Sequence, residues 1–398
     1  MNTSFVLPYM AERFGGPATV VRNVGQALAN MGHTVSYWAT ADEKDRAELA
    51  SLDNTHLYDV DWPRSWYHSR GFVRNLSAAI GSYDILHAYE MWLHPTYAAS
   101  RIARANKVPY ILVPSGTLGP WPLKSSRLKW LKKASYLSLV GRSMMRHAAC
   151  LLACSEQEAE HFRQAGYGGP VTVVPNGVDA HEFTAGDRSE AGTYWPKLKD
   201  RPIVLFMSRL SPEKGLDILI PVWARLTESP AYKDALLVIA GPDYRGYQKV
   251  VEAMIDRYSV GSRILMTGMV RGERKLSLLR RADVFVLPSY SENFGIVVAE
   301  GLACETPVIT TTGTPWRELV HAGAGRCVEP APGPLAEALK DLLNMSQETR
   351  RRMGRLGRDL VLRKYTWTAS AGRLLSVCHC ILEGAPIPLY PEPIDFQA

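Results

Sequence analysis

The sequence predicts an α/β protein built from two doubly wound parallel sheets in tandem. Two observations carry that prediction. Short apolar, β-type runs alternate with longer amphipathic runs along almost the whole chain, and this rhythm breaks once, after about residue 180, before restarting. At 398 residues, with 46% hydrophobic and 21% charged content, the chain also has the length for two domains with separate cores and the balance of a folded globular protein.

In the first half, residues 2–7 form an apolar strand. Ala11-Glu12-Arg13-Phe14-Gly15-Gly16-Pro17 leads into a helix from about Pro17 to Met31, with proline at its first position. Gly15 and Gly16 lack side chains, so the backbone there can approach a ligand at the positive helix end; a plain tight turn is the other reading. Thr34 to Ala39 is a second strand. Asp84 to Ala88 is another, followed by the loop Tyr89 to His94 and a helix near 95–106. Tyr110 to Val113 ends in Pro114-Ser115-Gly116-Thr117. Leu151 to Ala153 is a strand, Glu156 to Gln164 a helix, and Val171 to Val174 precedes the turn Pro175-Asn176-Gly177-Val178-Asp179. In such a sheet ligands sit at the carboxyl ends of the strands, where these loops lie.

Residues 1–183 are therefore assigned to a first domain and the polar, aperiodic 184–200 to a linker. A second domain spans 201–365. Residues 366–398 are expected to be a helix packing back on the first domain and a Pro-rich tail lying extended on the surface.

The second half repeats the rhythm: strand 203–207, helix near 214–228, strand 236–240, helix near 246–258, strand 263–267, helix near 273–281. Arg209 and Lys214 follow the first of these strands. Two cations there suit a diphosphate, Arg through a fork of donors and Lys as a point charge, against the alternative of two ordinary surface cations. Met269 and Val270, after 263–267, form a small apolar loop suited to a flat base. Asp283 to Leu287 is the next strand. Glu292 sits in the loop after it, and Asn293-Phe294-Gly295 opens a helix carrying Glu300. Strands at 307–311 and Gly325 to Val328 and helices near 333–344, 347–363 and 366–382 complete the chain. Glu292 and Glu300 lie eight residues apart, at most about 12 Å, too far to act on one bond as a close pair. They suit two ends of one extended ligand whose phosphates lie at the helix N-terminus between them; a loop acid plus a helix-face acid is the bland alternative. An anionic, extended ligand with hydroxyls describes a nucleotide sugar.

Several classes are disfavoured. No run of 18 uncharged apolar residues occurs, and the first residues do not read as a signal peptide. The six cysteines are scattered, and Cys378-His379-Cys380 reads as helix packing, so no metal is expected and a reducing cytoplasm is the simplest compartment. The net charge of +7 suits an anionic ligand, a bilayer surface or nucleic acid. Between Leu123 and His147 lie seven Lys or Arg and no acid, with Leu128, Leu131, Tyr136, Leu139 and Val140 at near-helical spacing. A basic amphipathic helix of that kind can rest on the inner face of an anionic cell membrane; a packed helix with a solvated basic face is the alternative. A dinucleotide-dependent oxidoreductase would need a GxGxxG after the first strand, which is missing. A nucleic-acid-binding protein would need its basic residues interleaved with a stacking platform, and none is evident.

In combination these motifs resemble a retaining glycosyltransferase of the GT-B fold, glycosyltransferase family 4 (group 1) type, over nearly the whole chain. The matching segments are Gly15-Gly16, Pro175 to Asp179, Arg209 to Gly215, the Glu292/Glu300 pair, Ala303 to Val308 and Gly313 to Leu319. The resemblance implies two Rossmann-like domains facing each other across a cleft, 1–183 on the acceptor side and 201–365 binding the nucleotide sugar. It implies that Arg209 and Lys214 hold the donor diphosphate in place of a metal, and that Glu300 bonds the ribose. Glu292 would lie by the donor sugar. Asn293 and the backbone amides near Phe294, Gly295 and Ile296 would hold sugar and phosphate oxygens, and Gly15 and Gly16 would let the first domain close on the diphosphate. The activity implied is transfer with retention from a UDP- or GDP-sugar to a glycan or lipid-linked acceptor, as in cell-surface polysaccharide or O-antigen assembly, with no cofactor. Two departures stand out. Ser115 lies where many members have a histidine or, in a closer branch, an arginine; His87 is the remaining histidine near the cleft and the candidate on the acceptor side. Glu305 occupies a position where glycine is usual.

Overall fold

In the computed structural model the described residues are 1–11, 14–50, 52–119 and 133–394, and their strands form two parallel sheets, of seven and six strands. The first sheet comprises β1 (Asn2–Val6), β2 (Thr34–Thr40), β3 (Thr55–Tyr58), β4 (Ile85–Tyr89), β5 (Tyr110–Val113), β6 (Cys150–Ala153) and β7 (Val171–Val173), in the order β3-β2-β1-β4-β5-β6-β7. The second comprises β8 (Ile203–Met207), β9 (Leu236–Ala240), β10 (Ile264–Gly268), β11 (Val284–Leu287), β12 (Val308–Thr311) and β13 (Gly325–Val328), in the order β10-β9-β8-β11-β12-β13. The interior strands β4, β5, β8, β9 and β11 are buried along their whole length, as expected when helices cover both faces, which is why they read as unbroken apolar runs. Strand order reverses between β1 and β4 in one sheet and between β8 and β11 in the other. Those two points are where a doubly wound sheet opens a crevice for a ligand.

The chain divides into a first unit of Met1–Gly177 with Trp367–Ala398 and a second unit of Val178–Thr366. The second unit therefore includes the stretch 184–200 assigned to a linker, which is a correction. Arg188 pairs with Asp283 at 2.8 Å, Arg280 approaches Glu190 at 3.5 Å, and a short helix, Ala191–Tyr194, lies against helix Gly272–Arg281. Only Ala191 and Leu198 of the segment are buried apolar side chains, too few to make a periodic face, and ion pairs and backbone bonds hold the rest. Three elements had no sequence signal strong enough to separate them from loop: β3, a partly exposed edge strand, and helices Glu43–Leu49 and Arg70–Ala79. The first of those helices begins with a capping box in which the Asp42 side chain accepts from the Asp45 amide.

Helix Trp367–Glu383 packs on helix Gly16–Asn30 of the first unit. The tail lies along the β7 edge, where the Val173 amide donates to the Leu389 carbonyl at 2.7 Å. Of the basic stretch 123–147, residues 123–132 lie outside the described residues. The remainder is a π-helical turn, Leu137–Gly141, and a helix, Arg142–His147, with Met144 and Met145 buried and Leu139 80% exposed. Among the described residues no helix is long and apolar enough to cross a membrane.

Candidate functional site

The second unit's site is assembled by the loops after β8 and β11. Past β8 the chain makes a 3₁₀ turn, Pro212–Lys214, and Gly215 reverses it at φ 76° into helix Leu216–Thr227. A Cβ on Gly215 would lie 2.0 Å from the Pro288 carbonyl oxygen, so only glycine lets the two loops come this close. The loops are stitched further: the Tyr290 amide donates to the Glu213 carbonyl and the Tyr290 hydroxyl to Asp217, each at 2.9 Å. The result brings Lys214 Nζ to 2.6 Å from Glu292 Oε2, with Lys214 only 6% exposed. Glu292 is itself held at its backbone, where its amide donates to the Gly313 carbonyl at 2.9 Å.

Helix Ile296–Ala303 begins just beyond, with Gly295 at φ 77° as its N-cap and no side chain capping it. The Phe294 ring packs inward against Trp316 and Tyr365, and the Trp316 indole N–H donates to the Phe294 carbonyl. Phe294 is thus buried, while Gly295 and Ile296 are half-buried at the start of the helix. One face of the helix carries Glu300, 7% exposed, whose Oε1 lies 2.6 Å from Lys275 Nζ on helix Gly272–Arg281. Its Oε2 is buried and has no hydrogen-bond partner among the described residues. A buried acceptor on an ionised group is costly to leave unpaired, and a ligand hydroxyl is a natural occupant.

The structure does not bring every expected residue to this cluster. Arg209 is exposed, with its guanidinium 5.0 Å from the Tyr244 ring centroid. Met269 is 51% exposed and Val270 half-buried, both just past β10, two strands from β8. Asn293 is half-buried in the loop beside Glu292. Lys275, by contrast, was not singled out by sequence: a lysine on an amphipathic helix looks like part of a solvated face. Among the described residues no three or more His, Cys, Asp or Glu converge as metal ligands.

In the first unit, Gly15 has φ 86° and caps helix Gly16–Asn30, while Gly16 is exposed; a Cβ at either would meet nothing within 4 Å. His87 needs correction as an acceptor-side residue. It is the middle residue of β4, fully buried, stacked on Phe5 at 4.5 Å between ring centroids, with Nε2 4.0 Å from Cys378 Sγ. Burial pushes its pKa down to about 3, so it is a neutral core histidine. The polar residue at the open end of β4 is Glu90, at φ 58°. Ser115, past β5, is likewise left-handed at φ 55°, and so is Glu305 at φ 59°, the conformation that explains why glycine suits that position.

Two Rossmann-like domains of this kind are the architecture of the GT-B class, and comparison with known proteins bears on this directly. The profile "Glycosyl transferases group 1" matches residues 190–360 and "Glycosyl transferase 4-like domain" matches residues 15–177. The chain belongs to the group 1, family 4-type glycosyltransferases. It is 30% identical over 219 residues to the GDP-mannose-dependent α-(1-6)-phosphatidylinositol dimannoside mannosyltransferase of Mycobacterium tuberculosis, a match covering 54% of each chain. The chain thus spans about half the length of such curated relatives. Its fold is similar to that of sucrose-phosphate synthase from Thermosynechococcus elongatus, with TM-score 0.76 at 20% identity over 97% of this chain and 100% of that one. HepE of Anabaena, solved with UDP-glucose, superposes with TM-score 0.73 at 18% identity over 96% of this chain and 99% of that one.

Proposed function

We propose that this glycosyltransferase moves a sugar from a UDP- or GDP-sugar to a hydroxyl of a glycan or lipid-linked acceptor, with retention at the anomeric carbon and without a metal or other cofactor. The observation that carries the reading is the buried Lys214–Glu292 pair at the β8/β11 switch point, next to a helix N-terminus and to Glu300 with one carboxylate oxygen unpartnered. The M. tuberculosis relative is named for GDP-mannose and the HepE structure holds UDP-glucose, which favours a nucleotide-sugar donor here.

In this mechanism Lys214, with Arg209 swinging in from the exposed edge, neutralises the charge that grows on the diphosphate as the sugar C1–O bond breaks. The acceptor hydroxyl attacks C1 from the same face, and its proton passes to the departing phosphate oxygen. Glu292 orients the donor sugar through its hydroxyls. Amides at Gly295 and Ile296, with Asn293 beside them, hold phosphate and sugar oxygens at the helix N-terminus. Glu300 Oε2 accepts a ribose hydroxyl, and Met269 and Val270 line the base. Gly15 and Gly16 present backbone to the diphosphate.

Cell-surface polysaccharide or O-antigen assembly fits such an acceptor, with the enzyme in the cytoplasm, peripheral on the inner face of the membrane. Exposed Leu139 with exposed Arg142 and Arg146 supports contact with an anionic bilayer. Nucleic acid is not a partner in this reading. The decisive experiment screens purified protein against UDP- and GDP-sugars, reading released UDP or GDP. Release from one donor class supports the proposal, and release from none across the panel, with added acceptors, refutes it.

A further inference from the structure

The first sheet has its own switch point, between β1 and β4, and a built polar pair spans it. Tyr9 lies past β1 and Glu90 directly past β4, and the Tyr9 hydroxyl donates to Glu90 Oε2 at 2.7 Å. This is the position in the first sheet that Lys214 and Glu292 hold in the second, each pair joining the loops after the two strands where the order reverses.

Three observations mark Glu90 as more than an edge residue. Its backbone is left-handed at φ 58°, a conformation that glutamate adopts only against a cost of about 1–2 kcal/mol. That conformation is locked, because the Glu90 amide donates to the Val113 carbonyl at 2.9 Å and extends the β4–β5 pairing by one residue. Its carboxyl is half-buried, and burial raises its pKa, with the Tyr9 bond working against the rise. Strained backbone and a desolvated carboxyl together are characteristic of binding sites. Among the described residues no group donates to Oε1. The flank is aromatic: Tyr9 stacks on Phe14 with ring centroids 4.2 Å apart and tilts against Tyr67 at 5.5 Å.

We propose that the Tyr9–Glu90 pair is an acceptor subsite, in which Glu90 takes a hydroxyl of a neutral polyol, a sugar ring or cyclitol, laid against the Tyr9, Phe14 and Tyr67 rings. The contrast between the two switch points sets the ligand class. In the second sheet the carboxylate is matched by a cation, which suits an anionic ligand. In the first it is matched by a phenol, which adds no positive charge and leaves a carboxyl that repels phosphate and accepts from hydroxyls. Aromatic faces add apolar contact to the C–H face of a ring without charge.

This inference rests on the glycosyl-transfer reading for the word acceptor, and the test separates the two. Binding of methyl α-D-mannopyranoside, myo-inositol and inositol 1-phosphate to the full chain is measured by saturation-transfer NMR, with thermal stabilisation by UDP and GDP followed in parallel. Wild type should bind at least one neutral polyol. Glu90→Gln and Tyr9→Phe should each weaken that binding about tenfold or more, the loss expected for a hydrogen bond to a charged group, and leave nucleotide stabilisation unchanged. Wild type binding neither neutral probe, variants that bind like wild type, or tighter inositol 1-phosphate binding as the sole effect of Glu90→Gln would each overturn the subsite. If UDP and GDP fail to stabilise wild type while polyol binding depends on Glu90, the subsite stands and the donor half of the function falls.

Discussion

Lys214 and Glu292 stand 78 residues apart in the chain, yet Nζ and Oε2 meet at 2.6 Å where the second sheet reverses its strand order. Each charge is largely withdrawn from water, so each depends on the other when the site is empty. Lys214→Ala should therefore do two things at once. It should lower transfer about 10²–10³-fold by removing charge compensation at the leaving group. It should also lower stability by about 3 kcal/mol by leaving Glu292 unpaired. The double variant Lys214→Met/Glu292→Gln should regain most of the stability and none of the activity. Thermal unfolding and donor turnover of the three proteins read this out, and equal destabilisation of single and double variants would contradict it.

Lys275 ties one oxygen of Glu300, and the other has no hydrogen-bond partner among the described residues. Releasing the tether lets the carboxylate turn away, so Lys275→Met should raise the donor KM about tenfold with kcat nearly unchanged. Glu300→Ala, which removes the acceptor itself, should raise it by about 10- to 100-fold. Steady-state kinetics against donor concentration separate the two, and an unchanged KM in Lys275→Met would remove Lys275 from the site.

Glu305 carries a left-handed backbone at φ 59° on the turn between helix Ile296–Ala303 and β12. Glycine there relieves that strain at some entropic cost in the unfolded chain. Glu305→Gly should therefore stabilise the protein by roughly 0.5–1 kcal/mol. Urea unfolding is the check, and a loss of stability would mean that the Glu305 side chain contributes more than its backbone costs.

Burial depresses the pKa of two histidines in the first unit, His87 to about 3 and His94 to about 4. The unfolded chain protonates both near 6.5 while the folded chain does not. Their contribution to stability is thus complete above about pH 6.5 and lost as pH falls toward 4 and 3, at up to ~1.4 kcal/mol per pH unit for each. His87→Phe should flatten this acid limb by one proton, seen as urea midpoints between about pH 4 and 7. It should leave transfer at neutral pH within a few-fold of wild type. A folded His87→Phe protein without activity would return His87 to the site.

The parts that were readable in the sequence share a cause. Buried parallel strands are apolar on both faces, so β8, β9 and β11 stand out as runs. Lys214 and Glu292 lie in the loops that must follow β8 and β11, and Glu300 on the helix after the second of them. The same two-sided burial hid the truth about His87: with no alternation along β4, nothing in Ile85–Tyr89 says which way a side chain faces. Lys275 and Tyr9 escaped notice for a different reason. Each acquires its meaning only from a partner, Glu300 or Glu90, set by strand order rather than by local spacing. The stretch 184–200 escaped because its anchors, such as Asp283, lie far along the chain.

The division at Gly177/Val178 and Thr366/Trp367 makes the second unit an insertion within the first. Both its ends meet side by side, with Val178 bridged to Thr366 and the Val178 amide donating to the Tyr365 carbonyl at 2.8 Å. Order of synthesis follows from this. On the ribosome the second unit is complete as soon as Thr366 has emerged, and it can close on itself as a domain folding in one piece. The first unit, begun earlier, must hold an unfinished surface open on helix Gly16–Asn30 until Trp367–Glu383 arrives to cover it. The half of the protein made first is the half that finishes folding last.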